Sequence, residues 1–467
     1  MIRAKWLVVA FATSLVLASC RPAEHTFTCE APLVNNQSPQ SDTINIAIKV
    51  DGSRSMLGYV NNPNSLYVQT LKYLDNTLSL SDLRPNTSIN YYRSSNSISR
   101  SDFRKAQLPL FYNESSSKFP NISVPIQEFI TPPGENDTLL AIVTDLDQAA
   151  GDVNILLRKI KQTYLNKEQQ GYAIGIWAIK SEFAGDVFVQ KQQNIERFPF
   201  PNPQSADETR PFYVLFIGRY QDINRYFETL ATNNQNLLNE SQLAIFSPSN
   251  IVKKTSYLDK IVEEKPPEEQ ASLQEWNLKY KKAIKVQAQD KNSQLWEITS
   301  VQTEVVNIQD SVDLALLNYT LPIKTNSITL RPNIRVFDKY SKQFKPSNEF
   351  IKDDSSLKSA IKIGQWNIDN TEQTNGQEQL SFVNTIQLDK FPEPGIYLFT
   401  FDVVPLELQE QEWWNEWSWQ ANRDNNLDGS KTHNLSNFLG GLKTITNNLM
   451  KEAPPIIGRF CYAIQKN

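Results

Sequence analysis

Asp51-Gly52-Ser53-Arg54-Ser55 places a carboxylate and two hydroxyls at alternate positions of one short loop. Side chains spaced in this way on a tight turn can converge their oxygens on one face. Small, hard oxygen donors suit Mg2+, Mn2+ or Ca2+, and they leave room for water and an incoming ligand. A second loop, Asp424-Asn425-Asn426-Leu427-Asp428-Gly429, imitates the start of an EF-hand. Its twelfth position is Leu435 instead of the bidentate glutamate, so an Asn/Asp-rich turn holding its own backbone is the better expectation.

Other chemistries are scarce. The chain has two histidines, His25 and His433. One falls in a Pro- and Ser-rich stretch and the other in a polar segment near the C-terminus. A Ser-His-Asp or Cys-His triad would need one of them in a core site, and zinc enzymes usually take two or more. A net charge of −4, with no basic stripe interleaved with aromatics, gives no reason to expect nucleic acid.

The elements that must position the Asp51 loop come next. Ile44 to Val50 is a β-rich run that stops at Asp51, and Leu139 to Val143 is an apolar run of strand length that ends, through Thr144, at Asp145. Ser88 to Tyr92, Tyr172 to Ile179 and Phe212 to Ile217 read as further strands. Helical spacing appears over Tyr67 to Leu78, Val153 to Tyr164 and Asp222 to Leu230, with a short helix over Ile122 to Ile130. Apolar strands alternating with helices predict an α/β doubly wound, mostly parallel sheet over 43–245.

Residues 246–292 read as a charged helical connector broken by Pro266-Pro267. The strands 296–306, 314–321, 333–338, 380–388 and 396–404 follow without helices between them and predict a mainly β, sandwich-like domain over 293–408. The segment 409–467 holds Trp413, Trp414, Trp417 and Trp419, which predict a packing patch between domains. A helix over Leu435 to Met450 follows them.

The Asp-x-Ser-x-Ser loop after a strand, Met56 just beyond it, and the apolar strand ending in Thr144-Asp145 resemble von Willebrand factor type A domains over about 43–240. The resemblance implies a metal-ion-dependent adhesion site of Asp51, Ser53, Ser55 and Asp145, with Mg2+ (or Mn2+/Ca2+) as the ion. The family adds a threonine from a second loop. Here Ser115 to Asn121 contains none, and Ser117 or Asn121 would have to supply that oxygen.

Arg3 and Lys5 precede an apolar run from Trp6 to Leu17 that is too short to span a membrane. Leu17-Ala18-Ser19-Cys20 resembles the lipobox of bacterial lipoproteins, which implies a signal peptide over 1–19 and lipidation of Cys20. Residues 20–42 then read as a flexible tether, and Cys29 and Cys461 remain as a candidate disulfide. The expected protein is a non-enzymatic, membrane-anchored module on the periplasmic or extracellular face. Its partner would be a protein offering an acidic residue to the ion. The competing expectations are a metal-free scaffold of an envelope complex and a metal-assisted hydrolase using carboxylates such as Asp147.

Overall fold

The structure, a computed structural model, describes residues 41–466 apart from 81–83, 113–116, 121, 123, 135–136, 148–149, 167–170, 192–193, 202–207, 254–255, 258–282, 286–297, 301–304, 315, 339, 342, 352–354, 365–366, 370–377, 388–389, 392–394 and 421–426. Cys20, Cys29, His25 and Asn121 therefore lie outside the described residues, as do the signal peptide and all of the tether but Ser41 and Asp42.

Nine strands come from residues 43–246: β1 (Thr43–Val50), β2 (Asn86–Arg93), β3 (Asn96–Ile98), β4 (Asp137–Thr144), β5 (Tyr172–Glu182), β6 (Gly185–Lys191), β7 (Asn194–Phe200), β8 (Thr209–Arg219) and β9 (Ser241–Phe246). Seven of them form one mixed sheet in the order β3-β2-β1-β4-β8-β5-β9, and β6 and β7 form a separate hairpin. Four helices matter here: α1 (Leu66–Leu80), α2 (Ala150–Ile160), α3 (Tyr220–Asn233) and α4 (Leu435–Glu452).

Side chains alternate between the faces of each strand. Leu139, Ala141 and Val143 join a core with Leu71 and Leu74 of α1 and Ile223 and Phe227 of α3. Leu140 and Ile142 join the opposite core, with Leu156 and Ile160 of α2 and Phe438, Leu439 and Leu442 of α4. All eight residues of β4 are buried as a result.

The expectation of a mostly parallel sheet is corrected. β1 is parallel to β2 and β4, but the other four pairings, β2–β3, β4–β8, β5–β8 and β5–β9, are antiparallel. An unbroken apolar run reports burial on both faces, and helices on both faces bury antiparallel strands equally well. The short helix expected over 122–130 is reduced to a single 3-10 turn, Ile126–Phe129. Pro125 precedes it, and Pro132-Pro133 soon follow with no backbone N–H to donate.

Among the described residues the second half adds a sheet that includes strands 328–338, 343–346, 395–405 and 458–466, another that joins 305–314, 361–363, 367–369 and 378–387, and a two-stranded pairing of 418–419 with 432–433. The strands expected over 296–306 and 314–321 are replaced by Ile298–Ser300 and Val305–Leu314. Beyond Leu314 the chain runs beside β9, where the Ile245 amide donates to the Tyr319 carbonyl at 2.7 Å. The described parts of 256–285, Ser256–Tyr257 and Ala283–Lys285, are short strands, and the helical reading of the residues between them lies outside the described residues.

The four tryptophans are buried, and Trp414 lies 5.7 Å from the Phe246 ring of β9. One core thus runs from β4 through α4 to Phe399 and Phe401 of the second half.

The α2–α4 contact depends on a missing side chain. A Cβ on Gly441 would stand 2.2 Å from Cδ1 of Leu157. Gly441→Val should therefore force the helices apart and cost about 2 kcal/mol, the usual scale of overpacking. Urea unfolding reads this directly, and an unchanged midpoint would show that the contact carries no constraint.

Candidate functional site

β1 and β4 are neighbours in register, with Val50 opposite Val143, so Asp51 and Asp145 leave the sheet at the same end. The Asp51 amide donates to the Val143 carbonyl at 2.9 Å and fixes that relation. From β1 the chain goes to β2 on one side, and β4 lies on the other. The crevice beyond their carboxyl ends is thus a topological switch point, the usual ligand position of an open α/β sheet.

The Asp51 loop folds on itself. Oδ1 of Asp51 accepts the Ser53 amide at 2.9 Å, and the Ser53 and Ser55 hydroxyl oxygens are 3.0 Å apart. Gly52 is required, because a Cβ would stand 2.7 Å from the Arg93 side chain. Arg93, itself buried, donates to the carbonyls of Gly52 (3.0 Å), Phe111 (3.2 Å) and Pro120 (2.8 Å).

The Asp145 loop is equally constrained. The Asp147 amide donates to Asp145 Oδ1 at 3.3 Å, and Leu146 sits at φ 54°. A leucine in this left-handed region costs roughly 1–3 kcal/mol and persists only where its surroundings enforce it. Arg210 supplies part of that enforcement by donating to Asp147 Oδ2 at 2.8 Å.

Two carboxyls of this corner are shifted upward. Burial, and then the charge of Asp145, push the Asp51 carboxyl up to about 7, while Ser53 and Arg93 oppose the shift. Burial pushes Asp147 up to about 7 as well, against Arg210. Three acids, Asp51, Asp145 and Asp147, share this buried corner with two guanidinium groups, Arg93 and Arg210. Among the described residues Asp147 Oδ1 has no hydrogen-bond partner.

Asp51, Ser53, Ser55 and Asp145 are therefore at one end of one sheet, with both acids buried and both serines half-buried. Ser117 is exposed, on a segment that Arg93 ties down at Pro120, and among the described residues no hydrogen bond joins its hydroxyl to Asp51. Cys461 lies opposite Thr400 in the second half. His433 departs from its expected polar setting: it is buried, 4.8 Å from the Trp419 ring, with Nδ1 3.8 Å from Asp147 Oδ1. Of the second candidate loop, Asp424 to Asn426 lie outside the described residues, and Asp428 uses Oδ1 to accept the amide (3.0 Å) and hydroxyl (2.6 Å) of Ser430.

Sequence reasoning missed Arg93 and Arg210 and placed His433 in a polar setting, because the partners of all three are remote in the chain. Among the described residues, no three His, Cys, Asp or Glu side chains gather on one metal position. The expected ligand set has only two acids, its other donors being hydroxyls, and is of a different kind. The chain matches no protein-family model, and it matches no curated protein.

Proposed function

We propose that this chain is a cell-envelope lipoprotein, anchored through lipid on Cys20, that captures a protein partner through a divalent cation. Mg2+ or Mn2+ is held by Asp51, Ser53, Ser55 and Asp145, and an acidic side chain of the partner fills the open coordination position. The carrying observation is the juxtaposition of the Asp51 and Asp145 loops at the switch point, with two serine hydroxyls 3.0 Å apart on the first of them. The parallel trio β2-β1-β4 fits the doubly wound centre of the von Willebrand factor type A fold that the sequence resembles, and the antiparallel β8-β5-β9 half departs from it.

The residues suit the ion chemically. Hard oxygens surround a corner where buried carboxylates outnumber guanidinium groups, and a divalent charge there would relieve their repulsion. Among the described residues no helix is long and apolar enough to cross a membrane, so in this reading the lipid is the anchor.

The test is a crosslinked pull-down from envelope extract with the full chain as bait. Capture in Mg2+ should disappear with EDTA and with Asp51→Ala. Capture that EDTA leaves untouched would instead support a metal-free scaffold.

A further inference from the structure

We infer that Arg210 is a positioning residue of the cation site, and that the site is complete only when the 428–432 loop is docked against it. This rests on the cation reading above. Arg210 lies at the start of β8, with its side chain 1% exposed, and bonds in two directions. One arm, Nη2, donates to Asp147 Oδ2 at 2.8 Å. The other, Nη1, donates to the carbonyls of Gly429 (2.9 Å) and Lys431 (3.0 Å), more than two hundred residues further along the chain.

Asp147 passes that hold to the ligand. Its backbone amide donates to Oδ1 of Asp145, and the residue between them is the strained Leu146. The orientation of Asp145 is thus set through Asp147 by a guanidinium whose remaining hydrogen bonds come from the C-terminal segment. A second bond secures the same docking: the Tyr213 hydroxyl donates to Thr432 Oγ1 at 3.0 Å. Thr432 is fully buried, so the loop is seated in the structure and does not merely lie on its surface.

Planarity matters more than charge here. A guanidinium can serve a carboxylate and two carbonyls at once in a fixed fork, whereas an ammonium is a point charge on a flexible stem. Removing a positive charge near Asp145 would by itself tighten cation binding, and losing the position of Asp145 would weaken it. The two effects have opposite signs.

The experiment is a Mn2+ titration of the full chain, read by the loss of the free-ion paramagnetic signal, with thermal unfolding measured in parallel. Arg210→Met and Arg210→Lys should both raise the Mn2+ Kd about tenfold or more. Tyr213→Phe, which keeps Arg210 and loses one docking bond, should raise it about threefold, and it carries the test if the Arg210 variants do not fold. Normal Mn2+ affinity in folded Arg210→Lys, tighter binding in Arg210→Met, or wild-type affinity in Tyr213→Phe would each overturn the inference while leaving the cation reading intact. No Mn2+ uptake by wild type would overturn both.

Discussion

Replacing Arg84 by methionine should destabilise the protein by about 3–5 kcal/mol, the scale of removing one partner from a buried ionic cluster. Arg84 bridges Asp137, the first residue of β4, and Asp222 of α3, with side-chain exposures of 3%, 8% and 4% respectively. Arg219 closes the cluster by donating to Asp137 at 2.7 Å, and Arg84 also donates to the Ser41 carbonyl at 2.8 Å. Two cations and two anions balance, and methionine would leave two buried carboxylates facing one guanidinium.

The pH dependence should follow the sign of each shift. Burial raises the Asp137 carboxyl, but Arg84 and Arg219 overcome it and hold the group below its ordinary 3.8. Its stabilisation in wild type is therefore present above that pH and lost as pH falls through the lowered value. Burial already holds the Asp222 carboxyl above 3.8 despite Arg84; losing Arg84 should raise both carboxyls, so the defect should be larger at pH 8 than at pH 5. Guanidinium chloride unfolding at both pH values measures this. A loss under 1 kcal/mol at pH 8 would mean that water relieves the cluster. Asp137 starts β4 and Asp145 follows its end, roughly 25 Å away at strand spacing, so Mn2+ affinity should survive wherever the variant folds.

Divalent cation should raise the unfolding free energy of wild type by about 2.7 kcal/mol at a hundred times its Kd, and Asp51→Ala should abolish that gain. Without the ion the substitution should act in the opposite sense. The Asp51 carboxyl is pushed up to about 7 by burial, then by Asp145. An acid with a raised folded value costs stability as pH climbs from its unfolded value, 3.8, and the cost is complete above about 7. At pH 8 and in EDTA, Asp51→Ala should therefore be at least as stable as wild type. Calorimetric melting of both proteins with and without Mg2+ gives all four values, and equal Mg2+ shifts in the two would defeat the assignment of Asp51.

Much of the site-bearing sheet could be read from residue order because its clues are local. β1 shows a β-rich run and β4 an apolar one, each ending at an acid, and a few residues suffice to see it. The helices over 66–80, 150–160, 220–233 and 435–452 likewise follow from apolar spacing within one segment. Strand direction was hidden, since Phe212 to Ile217 is equally apolar in either sense once α1 and α3 cover one face and α2 and α4 the other. Arg93 and Arg210 were hidden for a different reason. Each looks like an ordinary strand arginine until carbonyls from distant loops, Pro120 for one and Gly429 and Lys431 for the other, close on it. Segment 428–434 looked polar because Asp428, Ser430 and Lys431 are polar, whereas what buries Thr432 and His433 is β8 and Trp419.

The position of α4 against α2 also orders events in time. Leu140, Ile142 and the inner side of α2 have no complete cover until residues beyond 435 have been made. A chain emerging from its N-terminus must carry that half-clothed sheet while some two hundred further residues are added. Closing so long a loop is slow, although each doubling of its length adds only about 0.6 kcal/mol of entropy. Truncation anywhere before α4 should thus yield a sticky, incompletely folded first half, and maturation of the Asp51–Asp145 corner should be among the last steps of folding.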